Sequence, residues 1–214
     1  MDDHTLLYGA MARKQLTPHD WTTAALRAMA LGGVSAVSVS ALAGELDATR
    51  GSFYWHFKDR DALLTAALEL WERDNTTALI VETRDIADPR QRLTALFTTA
   101  LGQEDISGLE SAVVAHADHP AVAPVLRRVT ERRIAYLTQL YTDLGMEPAP
   151  ARRQAVTAYA AYLGWQELRR TSSDVVPETA ATGATATAAL EHLITELAHD
   201  RRRWIPLAPT RPVP

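Results

Sequence analysis

Residues 37–57, VSVSALAGELDATRGSFYWHF, contain two short helical patterns separated by a tight turn. The apolar residues of the first pattern recur at the spacing of one helix face, at Val39, Leu42, Ala43 and Leu46. Ser38 precedes them, where a hydroxyl can cap the free backbone N–H groups of a helix start. Asp47 follows them, and Asp tolerates the left-handed backbone of a tight turn. Because Thr49 can cap a second helix that carries Phe53 towards a core, the stretch predicts a helix-turn-helix.

The second predicted helix opens with the small, polar turn Arg50-Gly51-Ser52. In a DNA-binding helix-turn-helix the first residues of this helix face base edges in the major groove, where a bulky apolar side chain would block docking. Arg50 can donate two hydrogen bonds to guanine, Ser52 can donate or accept, and Gly51 lets the backbone approach closely. Further side chains are placed to contact the DNA backbone: Ser38, Ser40, Thr49, Tyr54, Trp55, His56 and Lys58. The stretch therefore predicts a surface that binds double-stranded DNA.

Residues 49–64, TRGSFYWHFKDRDALL, resemble the signature of TetR-family transcriptional regulators, and the resemblance extends from about residue 17 to residue 70. Asp47 stands where the family commonly has a glycine, but Asp can adopt the same conformation. The resemblance implies an all-α fold with a three-helix DNA-binding head and a helical body that binds a ligand and forms a homodimer. It further implies a cytoplasmic repressor, not an enzyme, that a small molecule releases from a pseudo-palindromic operator.

Composition narrows the possible classes of protein. The 214 residues contain no cysteine, which excludes disulfides, thiolate zinc sites and a cysteine nucleophile. No apolar run is long enough to span a membrane and the first residues do not resemble a signal peptide, so a cytoplasmic protein without a membrane partner is expected. The formal net charge is −4, and residues 1–60 contain as many acidic as basic side chains. We therefore expect weak non-specific affinity for DNA.

Helix start and stop signals divide the chain into four parts. Thr17-Pro18 predicts the start of the first helix, Gly32-Gly33 its end, and the Pro-containing run 147–150 a break between later helices. Periodicity predicts further helices over residues 60–83, 89–102, 108–117, 121–145, 151–170 and 184–199. The predicted parts are a flexible arm (1–16), the helix-turn-helix domain (17–62), the ligand-binding and dimerisation body (63–204) and a Pro-rich tail (205–214).

The aromatic and polar residues of the body are candidates for lining a ligand pocket, since pockets are mostly apolar with a few placed polar groups. The candidates are Trp71, Phe97, His116, Tyr136, Tyr141, Tyr162 and Trp165, and the alternative is that each of them is plain core. The longest predicted helix also contains a charged section, namely Arg127, Arg128, Glu131, Arg132 and Arg133. These side chains are expected to be solvated; the alternative is that one arginine reaches inward to an acidic ligand.

The last two predicted helices are rich in alanine, which lets helices approach closely in a symmetric interface. The family resemblance implies that this pair forms the dimer. The candidate interface residues are Ala155, Ala158, Tyr159, Tyr162, Ala189, Leu193 and Leu197, and the alternative is packing within one chain.

Signals for metal binding and catalysis are weak. His116-Ala-Asp-His119 places three possible ligands within four residues, but no further cluster completes a site, so neither a metal nor a cofactor is expected. No nucleophile elbow, zinc-protease motif or phosphate-binding glycine loop is present, and no catalytic residue is predicted. The alternative to a regulator is a helical small-molecule-binding protein or enzyme with a vestigial helix-turn-helix. The polar first turn at Arg50 argues against that alternative.

Overall fold

The computed structural model describes residues 16–102, 108–180 and 182–198, and these residues form helices and connecting turns without a β-strand. The helices are α1 (Pro18–Ala36), α2 (Val39–Glu45), α3 (Arg50–Tyr54), α4 (Arg60–Glu72), α5 (Ala78–Arg84), α6 (Pro89–Gly102), α7 (Leu109–Ala115), α8 (Ala123–Asp143), α9 (Pro148–Ser172) and α10 (Ala184–Ala198). The all-α prediction is confirmed. The predicted tail 205–214 and the arm, except for its last residue, lie outside the described residues.

Side-chain caps begin the helices of the head. The Thr17 hydroxyl accepts from the Asp20 backbone N–H, and the Asp20 carboxylate accepts from the Thr17 N–H at 2.8 Å, which completes a capping box. Ser38 caps α2, and the Asp59 carboxylate accepts from the Ala62 N–H at 2.8 Å to cap α4. Each cap acts within four residues of chain, which is why the sequence predicts these starts correctly.

The glycine pair in α1 makes a kink and not the predicted helix end. Gly33 has φ +68° and ψ −170°, after which the helix resumes to Ala36. Arg60 then binds the exposed carbonyls beyond the kink, because its Nε donates to Val37 O at 2.6 Å and its Nη2 donates to Val34 O at 2.5 Å. These bonds from α4 satisfy backbone acceptors that a short helical segment leaves open. The glycine interrupts the helix, and tertiary contacts allow it to continue.

The head is built around a small aromatic core. Trp21 and Phe53 are fully buried and meet edge to face, with 5.4 Å between ring centroids. Phe57 stacks on Phe53 at 5.7 Å. Aromatic pairs of this kind add to the free energy of burial. They hold α3 against α1 and thereby fix the orientation of the helix-turn-helix.

A π-helical turn, Arg73–Thr77, joins α4 to α5 within the segment predicted as one regular helix. Just before it, the buried Glu72 carboxylate binds the Arg128 guanidinium of α8 through both oxygens. This hydrogen bonding lowers the pKa of Glu72, against the opposing effect of burial. The ion pair ties the helix that leaves the head to α8 of the body.

The core of the body lies between α6, α8, α9 and α10. At its centre Tyr141 is fully buried and its hydroxyl donates to Leu197 O at 2.7 Å. Contrary to the predicted break, α9 already begins at Pro148 and includes Pro150. Proline is accommodated there because the first N–H groups of a helix have no intrahelical acceptor. No helix of the described residues is long and apolar enough to cross a membrane.

Candidate DNA-binding surface and ligand cavity

The turn between α2 and α3 has the predicted left-handed residue. Asp47 has φ +49°, and the following Ala48 N–H donates to Ala43 O at 2.8 Å, which closes the end of α2. Thr49 then caps α3 by accepting from the Ser52 N–H at 3.1 Å. The chain reverses within a few residues, so the first turn of α3 lies on the outside of the head.

The side chains that flank Phe53 are exposed. Trp55 is 87% exposed and Tyr54 57% exposed, whereas Phe53 is fully buried. Among the predicted DNA contacts, Ser40, Thr49, Arg50, Gly51 and Lys58 are also exposed, while Ser38, Ser52 and His56 are half-buried. Within the described residues, Arg50 makes no ion pair or side-chain hydrogen bond. Its N–H donors are therefore available, and a large exposed aromatic pair lies beside them on the same short segment.

A cavity of about 490 Å³ lies inside the body. Its apolar wall includes Leu79, Ile80, Leu96, Phe97, Ala100 and Leu137. Of the predicted pocket residues, Trp71, Phe97, Tyr136 and Tyr162 line it, whereas His116, Tyr141 and Trp165 do not. Tyr141 points into the α8–α10 core, and His116 lies at the end of α7. Periodicity places these residues on helices, but helix packing decides which of them reach the cavity.

Arg133 lines the cavity, although it belongs to the group of arginines that is predicted to be solvated. Its side chain is only 12% exposed and pairs with Glu110 at 2.6 Å between Nη1 and Oε1. The guanidinium carbon lies 5.4–5.9 Å from the ring centroids of Trp71, Tyr159 and Tyr162. Burial lowers the pKa of Arg133, but Glu110 and the tyrosines outweigh it and the net shift is upward, so the side chain is charged.

The π-helical turn supplies the other hydrogen bonds to Arg133. Its Nε donates to Thr76 Oγ1 at 2.9 Å and its Nη2 donates to Asn75 O at 3.2 Å. Burial, with Glu110 nearby, raises the pKa of Tyr162 to about 12, so this tyrosine is neutral at physiological pH. The sequence contains one signal for this site: Arg133 falls four residues after Val129 and four before Leu137, within the apolar stripe of α8.

The comparisons with known proteins agree with the geometry of the head. Residues 22–73 match the family model described as bacterial regulatory proteins, tetR family. The head therefore has the sequence of a TetR-family DNA-binding domain over these residues. The match identifies the chain as a DNA-binding transcriptional regulator. No curated protein matches the sequence.

Solved structures of other proteins share the fold over most of the chain. A transcriptional regulator from Saccharomonospora viridis in complex with choline is 18% identical with a TM-score of 0.70, over 86% of this chain and 96% of that one. Reduced NemR from E. coli is 20% identical with a TM-score of 0.65, over 82% and 94%. SCO4454 from Streptomyces coelicolor is 15% identical with a TM-score of 0.66, over 85% and 95%. At these identities the likeness establishes the fold.

One helix, α7, connects the cavity wall to the head. Glu110 and Ser111 at its start line the cavity, and α7 packs along α1 of the head. At its end, the His116 ring lies over Gly33, so close that a Cβ built on the glycine would be 2.4 Å from the His116 Cε1 atom. The His116 Nδ1 donates to Ala112 O at 2.8 Å, which fixes the ring.

The two histidines predicted as possible metal ligands serve the backbone. His119 Nδ1 accepts from the Ala121 N–H at 3.2 Å, in the turn that precedes α8. His116 makes the bond to Ala112 O that holds it against the kink. Within the described ranges, no three His, Cys, Asp or Glu side chains come together as a metal-binding group.

The predicted dimer residues divide between two faces of α9 and α10. Ala155, Ala158, Tyr159 and Leu197 are buried inside the protomer, which corrects the prediction for these four, because a partner could not contact them. Tyr162, Ala189 and Leu193 are half-buried. The outer face of α9 instead exposes residues spaced four apart, namely Val156, Ala160, Gly164 and Leu168. Four of the seven predicted positions therefore face inward, and Val156, Ala160, Gly164 and Leu168 are exposed on α9.

Proposed function

We propose that this TetR-family regulator is a homodimeric repressor that binds a pseudo-palindromic operator and releases it when a small molecule occupies the body cavity. The observation that carries the proposal is that one helix, α7, contributes to the cavity wall and also packs on α1 of the DNA-binding head. A ligand that alters the position of α7 has a direct physical connection to the head.

Base reading is assigned to the first turn of α3. Arg50 is exposed, as is Gly51, and no described side chain holds the Arg50 guanidinium in place. A bidentate pair of hydrogen bonds from Arg to guanine discriminates against the wrong base by about 1–3 kcal/mol. Ser52, half-buried in the same turn, would add to the reading.

Phosphate contacts are assigned to the residues around that turn. Lys58 is 90% exposed in its side chain, and Ser40 and Thr49 are also exposed. Ser38, Tyr54, Trp55 and His56 complete the proposed set. Such contacts fix register without reading sequence.

The dimer is assigned to the exposed faces of α9 and α10. Val156 and Leu168 are 46% and 42% exposed, with Ala160 and Gly164 between them on the same face. Alanine and glycine let a second α9 approach closely, and a self-complementary patch suits two-fold symmetry. Two heads held by such a dimer could contact successive major grooves of one operator.

Release is assigned to the coupling between α7 and the kink of α1. The ligand shifts the equilibrium only by the difference in its affinity for the bound and released arrangements of the heads. In the structure, Gly108 lies against Ala30 O and His116 lies against Gly33, so α7 touches α1 at both of its ends. The similar regulator from Saccharomonospora viridis was crystallised with choline, which supports a small-molecule site in proteins of this fold.

The test is fluorescence anisotropy of the full chain with the labelled duplex upstream of its own gene, in a salt series and with random DNA as competitor. Wild-type protein is expected to bind this duplex despite the competitor. Arg50→Ala is expected to weaken operator binding by about 1–3 kcal/mol and to relax sequence preference. The matched control is Arg73→Ala, an exposed arginine at the first position of the π-helical turn, which should leave operator binding unchanged.

A second set of results would overturn the proposal. If neither this duplex nor any duplex from a random-sequence selection is preferred over random DNA, the head does not read sequence. The cavity would then favour the alternative of a helical small-molecule-binding protein with a vestigial helix-turn-helix. Unchanged operator affinity in Arg50→Ala would remove Arg50 from the base-reading residues.

A further inference from the structure

We infer that the cavity takes an organic acid, namely a single carboxylate on an apolar body, which binds Arg133 in exchange for Glu110. This inference rests on the proposed function, since it names the chemical class of the releasing ligand.

Arg133 is a buried cation whose one carboxylate partner is Glu110, the group that a ligand carboxylate would replace. Arg133 donates hydrogen bonds to the Glu110 carboxylate from Nη1, at 2.6 Å to Oε1, and from Nη2, at 3.4 Å to Oε2. Its other hydrogen bonds go to the uncharged acceptors Thr76 Oγ1 and Asn75 O. These bonds leave one Nη1–H without an acceptor among the described residues. The planar guanidinium fork matches a carboxylate in two-point geometry, which is what Glu110 now provides in part.

The cavity wall has more positive than negative groups. Its described lining contains three guanidinium groups, Arg133, Arg169 and Arg170, and one carboxylate, Glu110. Arg170 also pairs with Glu167 at 2.5 Å, on the outside of α9. The Arg170 side chain passes close to Gly108, two residues before Glu110 in the chain. A carboxylate that enters the cavity would reduce this charge imbalance, and Arg169 and Arg170 line the same cavity as Glu110.

Charge decides between ligand classes. An organic cation would have to displace Arg133 from the rings of Trp71, Tyr159 and Tyr162, and a buried guanidinium without its partner is strongly unfavourable. A neutral ligand has no charge with which to replace Glu110. An acid replaces one carboxylate by another and keeps Arg133 paired throughout. The apolar wall that continues from Phe97 to Leu79 and Ile80 then receives the body of the acid.

The exchange would also explain how occupancy reaches the head. Glu110 lies in the first turn of α7, and its bond to Arg133 ties α7 to α8 across the cavity. When an acid takes Arg133, that tie is lost while the contact of His116 with Gly33 stays at the other end of α7. The acid thereby changes the restraint on the helix that packs on α1.

The experiment measures binding to the full-length protein by isothermal titration calorimetry with four probes: octanoate, 1-octanol, octyltrimethylammonium and choline. The first three share an eight-carbon chain and differ in the charge of the head group. Octanoate is expected to bind, and 1-octanol is expected to bind at least about tenfold more weakly, because it lacks the charge-assisted bonds. Neither ammonium compound should compete with octanoate.

Two variants separate binding from folding. Arg133→Gln is expected to weaken octanoate binding by at least about tenfold. Glu110→Gln removes the competing charge, and it is expected to bind octanoate about tenfold more tightly than wild type. A purely structural role of Glu110 would not raise affinity, so this sign is the discriminating result. The matched controls are Arg127→Gln and Glu131→Gln, which change the same residue types on the exposed face of α8 and should not alter binding.

The outcomes assign failure separately to the ligand class and to the regulator. Stronger binding of the alcohol or of either ammonium compound, absence of octanoate binding, or weaker octanoate binding in Glu110→Gln would each overturn the acid inference. Anisotropy of the operator complex with each probe is measured in parallel. Release of the operator by a cation or an alcohol would overturn the inference of an acidic ligand but would support the proposed repressor function. Octanoate binding without any operator preference would refute the repressor function but would support the acid site. The circular dichroism of each variant confirms that it is folded.

Discussion

Gly33→Ala tests the contact between the head and α7 most directly. Gly33 has φ +68° and ψ −170°, a region of backbone space that is nearly restricted to glycine. An alanine there costs about 1–3 kcal/mol in backbone strain. Its Cβ would also lie 2.4 Å from His116 Cε1 and 2.9 Å from Nε2, so the ring must move.

Displacement of the ring adds a second cost. The His116 Nδ1 donates to Ala112 O at 2.8 Å, and loss of one such hydrogen bond costs about 1 kcal/mol. We therefore expect Gly33→Ala to lower the free energy of unfolding by about 2–4 kcal/mol. The measurement is equilibrium urea unfolding followed by circular dichroism at one fixed protomer concentration, since self-association affects apparent stability.

A double-mutant cycle identifies the contact. In a His116→Ala background the ring is absent, so Gly33→Ala should cost only the backbone strain of about 1–3 kcal/mol. Gly44→Ala is the control, since a Cβ at Gly44 has no heavy atom within 4 Å and the change should be neutral or stabilise α2 by up to about 1 kcal/mol. A Gly33→Ala protein within about 0.5 kcal/mol of wild type would refute the reasoning, as would equal costs in the two backgrounds.

Three further predictions concern other parts of the chain. The hydrogen bonds from Arg128 lower the pKa of Glu72. The ion pair therefore contributes to stability at neutral pH, and this contribution is lost as the Glu72 carboxylate becomes protonated below about pH 4.5. Glu72→Gln should therefore destabilise by about 1–3 kcal/mol at pH 7, and the difference from wild type should shrink in urea titrations at lower pH. Lys58→Ala should weaken operator and random DNA alike and reduce the slope of log affinity against log salt by about 1; a changed sequence preference would contradict a phosphate role. A Cβ at Gly164 would contact none of the described residues within 4 Å, so Gly164→Ala should stabilise α9 by about 0.5–1 kcal/mol. It should also weaken the proposed dimer by about 1–3 kcal/mol in sedimentation equilibrium. Unchanged self-association would place the interface elsewhere.

Local signals account for the parts of the fold that could be predicted. Thr49 caps α3 from within three residues, and Asp47 adopts the turn conformation that its side chain tolerates. The π-helical turn at Arg73–Thr77 could not be read in this way, because its bonds to Arg133 come from another helix. The start of α9 at Pro148 differs from the predicted break because proline is also favoured in the first turn of a helix.

The cavity also combines residues that local signals predict with residues that only helix packing places there. Trp71, Phe97, Tyr136 and Tyr162 were predicted and line it, whereas Tyr141 has the same aromatic character but turns to Leu197 O in the core. The charge of Arg133 predicts a solvated side chain, like those of its neighbours on α8, whereas its spacing from Val129 and Leu137 places it on the apolar stripe. Composition indicates which residues suit a pocket, but the rotation of each helix about its axis decides which of them face it.

The sequence by itself determined where the helices of the head begin, their caps, the turn at Asp47 and the polar first turn of α3, because each depends on interactions within a few residues of chain. Only the tertiary structure decided that Arg133 pairs with Glu110 inside a cavity and that His116 lies on Gly33. These contacts join residues of separate helices, and their energies depend on how the helices pack. The helix-turn-helix is therefore visible in the order of the residues, whereas the contacts that join the cavity wall to the head exist only in the folded protein.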